Sequence, residues 1–213
     1  MLPFHNWPFR VQGLGDDVLG ALRTSAYAVI GRAGPNQEFL TSCLWNRWLN
    51  QLKAIGDDMP NTSRAPMIAH WKAGELLARH PVITDEEVRC TPVFNEPEMH
   101  GTGWRGGVQV GERIIAISGQ PQHHDQLIAA LMHTAASPDL DPQLIDTRLE
   151  GSTRPVLEFR TPKPEEFLAF IAGVCGVGVK VFYNTPEIQN GLWVDREVDD
   201  QRGYPAIGVT AKS

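Results

Sequence analysis

The sequence predicts an α+β fold in which a helical N-terminal region, residues 1–89, precedes a ferredoxin-like βαββαβ unit within residues 90–213. Three observations carry this. Short β-rich runs and amphipathic stripes alternate from Val108 to Tyr183 in the order strand, helix, strand, strand, helix, strand. Both helices of that stretch open on proline, and the residues before it recur with helical spacing.

Val108 to Ser118 is rich in Val and Ile and reads as the first strand, with Gly111 as a bulge or turn inside it. Pro121 then opens a helix whose stripe is Leu127, Ile128, Leu131, Met132 and Ala135, stopped by Ser137 and Pro138. Leu144 to Leu149 and Val156 to Arg160 flank the turn residues Glu150, Gly151, Ser152 and Thr153, which predicts a hairpin with Leu157 and Phe159 on its core face. Thr161 to Glu166 starts a second helix with a stripe of Phe167, Leu168, Phe170, Ile171 and Val174. Glycines 173, 176 and 178 end it, and Val179 to Tyr183 makes the last strand.

Upstream, Asp16 and Asp17 cap an expected helix through Val18, Leu22, Ala26, Val29 and Ile30, closed by Gly31. Gly34, Pro35 and Asn36 open a second expected helix, in which Leu40, Leu44, Trp48 and Leu52 recur every four residues, with Trp45 beside the stripe. A third begins near Ser63 to Pro66, passes through Ile68, Trp71 and Leu77, and ends at His80 and Pro81. Val82 to Gly107 is polar and irregular, either a hinge or a loop lying over the sheet.

The chain has 213 residues, 42% of them hydrophobic, enough for a substantial core in one domain or two small ones. No apolar run approaches a membrane span, and Met1 to His5 lacks the basic and apolar regions of a signal peptide, so the expected compartment is the cytoplasm. Cys43, Cys90 and Cys175 are odd in number and far apart, which predicts reduced thiols and no disulfide framework. Residues 1–89 carry equal numbers of basic and acidic side chains, whereas residues 90–213 hold 10 Lys and Arg against 16 Asp and Glu. Binding to a phosphate backbone needs the opposite balance, so nucleic acid is disfavoured as a partner. Asp195 to Asp200 adds an acidic C-terminal extension.

His123, His124, Asp125 and His133 resemble a metal-ligand set by composition. At about 100° per residue, however, His124 falls within the apolar stripe and His133 points nearly the opposite way, so no metal and no cofactor is expected. The loop from Glu96 to Gly107 is richer in chemistry. If the chain is an enzyme, a small hydrolase or nuclease, His100, Glu98 and Arg105 are its candidate base, acid and anion clamp. The competing expectation is an ordered connection in which Trp104 plugs a boundary.

Gly173 to Gly178 cannot serve a dinucleotide, because a helix precedes and a strand follows this loop. A glycine-rich loop between the second helix and fourth strand of a ferredoxin-like unit resembles the RNA-binding repeat-associated proteins of CRISPR systems. That resemblance implies RNA contact through Gly176 and Gly178. The expectation placed first is instead a non-catalytic protein-interaction or assembly subunit, in a hetero-complex or a homo-oligomer. Its candidate anchors among the six tryptophans are Trp7, Trp45 and Trp104.

Overall fold

The computed structural model of the chain describes residues 7–33, 38–44, 64–79, 87–91, 103–150, 154–183 and 207–211. Helix α1 (Trp7–Ala21) buries Trp7, Val11, Leu14, Val18 and Leu19, which share one face by their spacings of three and four. It ends in a Schellman arrangement. Arg23 takes a left-handed φ of 52°, its amide donates to Gly20 O, and Thr24 N donates to Leu19 O. The chain then reverses into β1 (Ala26–Arg32), followed by β2 (Glu38–Leu44), α2 (Ala65–Arg79) and the short β3 (Val88–Cys90).

The helix expected from Asp16 to Ile30 therefore stops at Ala21, and its second half is a strand. The helix expected from Gly34 onward is, over Glu38–Leu44, a strand as well; the rest of it, with Trp45, lies outside the described residues. The physical reason is periodicity. A recurrence of four is also a multiple of two, so Leu40 and Leu44 suit one face of a strand as well as one face of a helix. β1 is covered on both faces, so Ala28, Val29 and Ile30 form a continuous apolar run without the polar alternation that marks a one-sided strand.

Val108 to Ser118 is a hairpin, not one strand. β4 (Gly107–Val110) and β5 (Arg113–Ser118) are joined at Gly111 and Glu112, with Gly111 at φ 55° and Val110 paired with Arg113. α3 (Gln122–Ala135) follows, then the hairpin β6 (Gln143–Glu150) and β7 (Arg154–Arg160). α4 (Pro164–Cys175), a 3₁₀ turn at Gly176–Gly178, β8 (Val179–Tyr183) and β9 (Ile207–Ala211) complete the order.

All strand pairings are antiparallel, in a five-stranded sheet of order β2-β1-β5-β4-β3 and a four-stranded sheet of order β6-β7-β9-β8. The α+β class is as expected, but the strand arrangement is not ferredoxin-like. That unit needs its four strands in one sheet, whereas here β4 and β5 pair with β1 and β3, and β6, β7 and β8 belong to the second sheet with β9 between β7 and β8. Local patterning gave the element order from Pro121 to Tyr183. It could not give the partners, because β1 competes for the edge of β5, and β9 for the edges of β7 and β8.

α2 packs on one face of the five-stranded sheet through Ala69, Ala73 and Leu76 against Val29, Ile114 and Ala116. Ala28, Ile30, Val108, Ile115 and Ile117 point the other way, into a larger core shared with α1, α3 and α4 and closed by Leu157, Phe159, Val179, Ile207 and Val209 of the second sheet. α3 is the central element, buried continuously from Asp125 to Ala135. Each fully buried Ile or Leu there contributes roughly 1.5–3 kcal/mol relative to exposure. Phe159 and Phe167, as the hairpin pattern and the α4 stripe predict, meet at 5.6 Å between ring centroids.

Candidate functional site

The buried residues of α2 include Ala65, Ala69, Lys72, Ala73, Glu75 and Leu76, and Lys72 is the most deeply buried charged side chain among them. Its side chain is 1% exposed. Nζ donates to Ile117 O at 2.5 Å, at the end of β5, and to Asp125 Oδ2 at 3.0 Å, in the first turn of α3. Asp125 Oδ1 in turn accepts the amide of Gln120 at 3.1 Å. Two opposite charges are thus held together where two helices and the end of a strand converge.

Burial raises the Asp125 carboxyl from its ordinary 3.8 to about 7, even though the Lys72 ammonium and the Gln120 and Gly119 amides oppose the shift. Burial likewise lowers Lys72, against the pull of Asp125. Desolvation leads for both partners, so the pair contributes position more than stability. Gly106 closes it from behind. Its φ is 116°, and a Cβ there would fall 2.6 Å from Asp125 Cβ, 2.7 Å from Ile117 O and 2.8 Å from Lys72 Nζ.

In front of the pair lies a cleft of about 360 Å³, lined by Arg64, Ile68, Lys72 and Trp104 on one side and by Ser118 to Gln122 and Asp125 on the other. The head of α3 opens onto it. Pro121 occupies the cap position with no side-chain cap, and the amides of Gln122 and His123 have no acceptor among the described residues. At the rim, Trp104 lies parallel to Trp71 of α2, with 6.4 Å between ring centroids and 4° between planes. Both remain open to solvent, Trp71 at 49% and Trp104 at 37%, with Met67 exposed one turn along α2.

Of the residues singled out from the sequence, Trp104 and Asp125 reach this cleft. Arg105 is next to Trp104 in the chain, and its amide donates to Gln122 Oε1 at 3.4 Å. His100, Glu98 and Trp45 lie outside the described residues. Trp7 is 3% exposed in the α1 face of the core, the docked arrangement and not a protruding one. Gly176 is exposed at the end of α4, with φ 57°. Gly178 is buried, and a Cβ there would come 2.5 Å from His123 Nδ1, so this glycine allows the 3₁₀ turn to lie against the head of α3. His124 is half-buried and its pKa is lowered by burial. His133 is fully buried, with Nε2 2.8 Å from Val108 O.

Sequence reasoning missed Lys72, Asp125 as its partner, and Trp71. The stripe read through Ile68, Trp71 and Leu77 is displaced from the buried face, which is drawn by alanines. A lysine at the seventh position between Ala65 and Leu76 was the available signal, since a charge on an inward stripe requires a partner.

Among the described residues no group of three or more His, Cys, Asp and Glu side chains is placed to hold a metal ion, and no helix is long and apolar enough to cross a membrane. Comparison with protein-family models, with curated proteins and with solved structures finds no match.

Proposed function

We propose that this chain is a non-catalytic subunit that binds a partner protein through the face formed by Met67, Trp71 and Trp104, in the cytoplasm with its cysteines reduced. The parallel pair of half-exposed indoles carries this reading. Tryptophans are large, rigid interface anchors, and two side by side on an ordered helix and loop offer contact area at little entropic cost. Trp104 is held by its own segment, since Arg105 N and Gly106 N are tied to Gln122 and Gln126 of α3, the latter at 2.7 Å. The surface is therefore formed before any partner arrives.

Lys72 and Asp125 support the same reading. Each neutralises the other, and both are fastened to backbone groups, an arrangement suited to fixing the shape of the cleft wall. Cross-linking with mass spectrometry in the native host, run in parallel on the wild type and on Trp71→Ser and Trp104→Ser, tests the proposal. The expected result is a defined partner captured by the wild type and lost from both variants. Identical cross-links in all three chains would overturn it.

A further inference from the structure

We infer that the cleft beside the paired tryptophans takes a carboxylate carried next to an apolar side chain on an acidic segment of the partner. The inference rests on the partner-binding reading and adds the chemistry that the site selects. Three donor-bearing residues line the cleft, Arg64, Lys72 and Gln122. The Arg64 guanidinium stands at its rim with no hydrogen-bond or ion-pair partner among the described residues. Lys72 has three ammonium hydrogens and two acceptors there, Ile117 O and Asp125 Oδ2. The Gln122 amide at the uncapped head of α3 supplies one more N–H group at the positive end of a helix dipole.

The charge balance has a definite sign. Lys72 and Asp125 cancel, and Asp125 is covered by Lys72 on one oxygen and by a backbone amide on the other, which leaves Arg64 and the helix end as the field in the cleft. The chain as a whole carries a net charge of −6, so this local positive site is complementary to an acidic segment and opposed to the rest of the surface. Trp104, Ile68, Ala65 and Pro121 form the apolar part of the wall, suited to a side chain flanking the carboxylate. The volume falls in the range of pockets that engulf one or two side chains. Phosphate is the less favoured anion, because it brings no apolar group to the wall formed by Trp104, Ile68 and Pro121.

The test is nuclear magnetic resonance titration of the full chain, following the Trp71 and Trp104 indole and Gly119 amide signals. The probes are the blocked peptide acetyl-Ala-Phe-Glu-Ala-amide, its Gln counterpart, and inorganic phosphate. The expected result is saturable shifts with the Glu peptide, about tenfold weaker binding of the Gln peptide, weakening by added salt, and loss of selectivity in Arg64→Ala. Lys72→Met is a second variant for the inner donor, and Arg64→Ala, at an exposed position, keeps the question open to test if Lys72→Met fails to fold. Equal shifts with Glu and Gln peptides, tighter binding of phosphate than of the Glu peptide, or no shift at all would each overturn the carboxylate assignment. The Trp71→Ser cross-linking comparison would still stand or fall separately, because it does not depend on which chemical group enters the cleft.

Discussion

Lys72 Nζ stands 3.0 Å from Asp125 Oδ2, so an ammonium from α2 and a carboxylate from α3 meet at the end of β5 with almost no solvent. Removing one partner leaves the other buried alone. Without the Lys72 ammonium the Asp125 carboxyl rises above about 7. Lys72→Met is therefore expected to lose up to about 3–5 kcal/mol, with the loss growing as pH rises past that value and clearly smaller at about pH 5, where the carboxyl is protonated. Urea unfolding of the variant across that range checks this. The double variant Lys72→Met with Asp125→Asn is expected to recover part of the loss at the higher pH, because no charge is then stranded.

Asp125 and His133 give opposing dependences of stability on pH. The Asp125 carboxyl is raised from 3.8 to about 7, so its contribution is greatest below about pH 4 and is lost as pH rises toward 7. Burial lowers the His133 imidazole from 6.5 to about 3, so its contribution is complete above about pH 6.5 and is lost as pH falls toward 3. Between these limits the two slopes offset each other. Asp125→Asn is expected to become steadily more stable from about pH 4 to 7, and His133→Gln to show the reverse trend. Chemical denaturation midpoints across that range, compared with the wild type, read both signs directly.

Two glycines make contrasting predictions. Gly106→Ala has to relieve a left-handed φ of 116° and clashes below 3.0 Å with Asp125, Ile117 and Lys72, two of them with backbone or near-backbone atoms. A loss of at least about 2 kcal/mol is expected, together with altered Trp71 and Trp104 fluorescence as the loop shifts. Gly74 sits exposed in the middle of α2 with nothing within 4 Å of its absent Cβ. Gly74→Ala is expected to stabilise by about 0.5–1 kcal/mol. Thermal melts of the two variants should move in opposite directions.

Legibility in the sequence followed how local the signal was. From Pro121 onward caps, turns and apolar stripes agree, and α3, the β6–β7 hairpin, α4 and β8 lie where Pro121, Leu157, Phe159, Phe167 and Gly176 place them. Between Ala26 and Arg32 they conflict, because β1, covered on both faces, has no alternation to display, and over Glu38–Leu44 a recurrence of four fits a strand as well as a helix. Sheet membership beyond the β6–β7 hairpin was not legible, since β5 also pairs with β1 and β7 with β9, both distant in sequence. At the candidate site, Trp104 was visible as an aromatic in a glycine-rich loop. Trp71 and Lys72 were hidden by a small error in helix phase, which put Trp71 inward and left Lys72 unremarked. Asp125 was read within a set of residues resembling metal ligands, whereas its partner is the Lys72 ammonium at the β5 end.

The tryptophans separate by role, and stability measurements can tell them apart. Trp7 belongs to the main core with Val11, Leu14 and Val18, so Trp7→Ala leaves a large cavity between α1 and its neighbours. A loss of about 3–5 kcal/mol is expected. Trp71 and Trp104 lie half-exposed at the surface, and their mutual contact is worth about 0.5–1.5 kcal/mol. Trp71→Ser and Trp104→Ser should each cost no more than that in urea unfolding, and the double variant should cost less than the sum, because the first substitution already removes the contact. If either single substitution destabilised the chain as much as Trp7→Ala, the pair would be a structural prop, and its exposure would no longer argue for a binding surface.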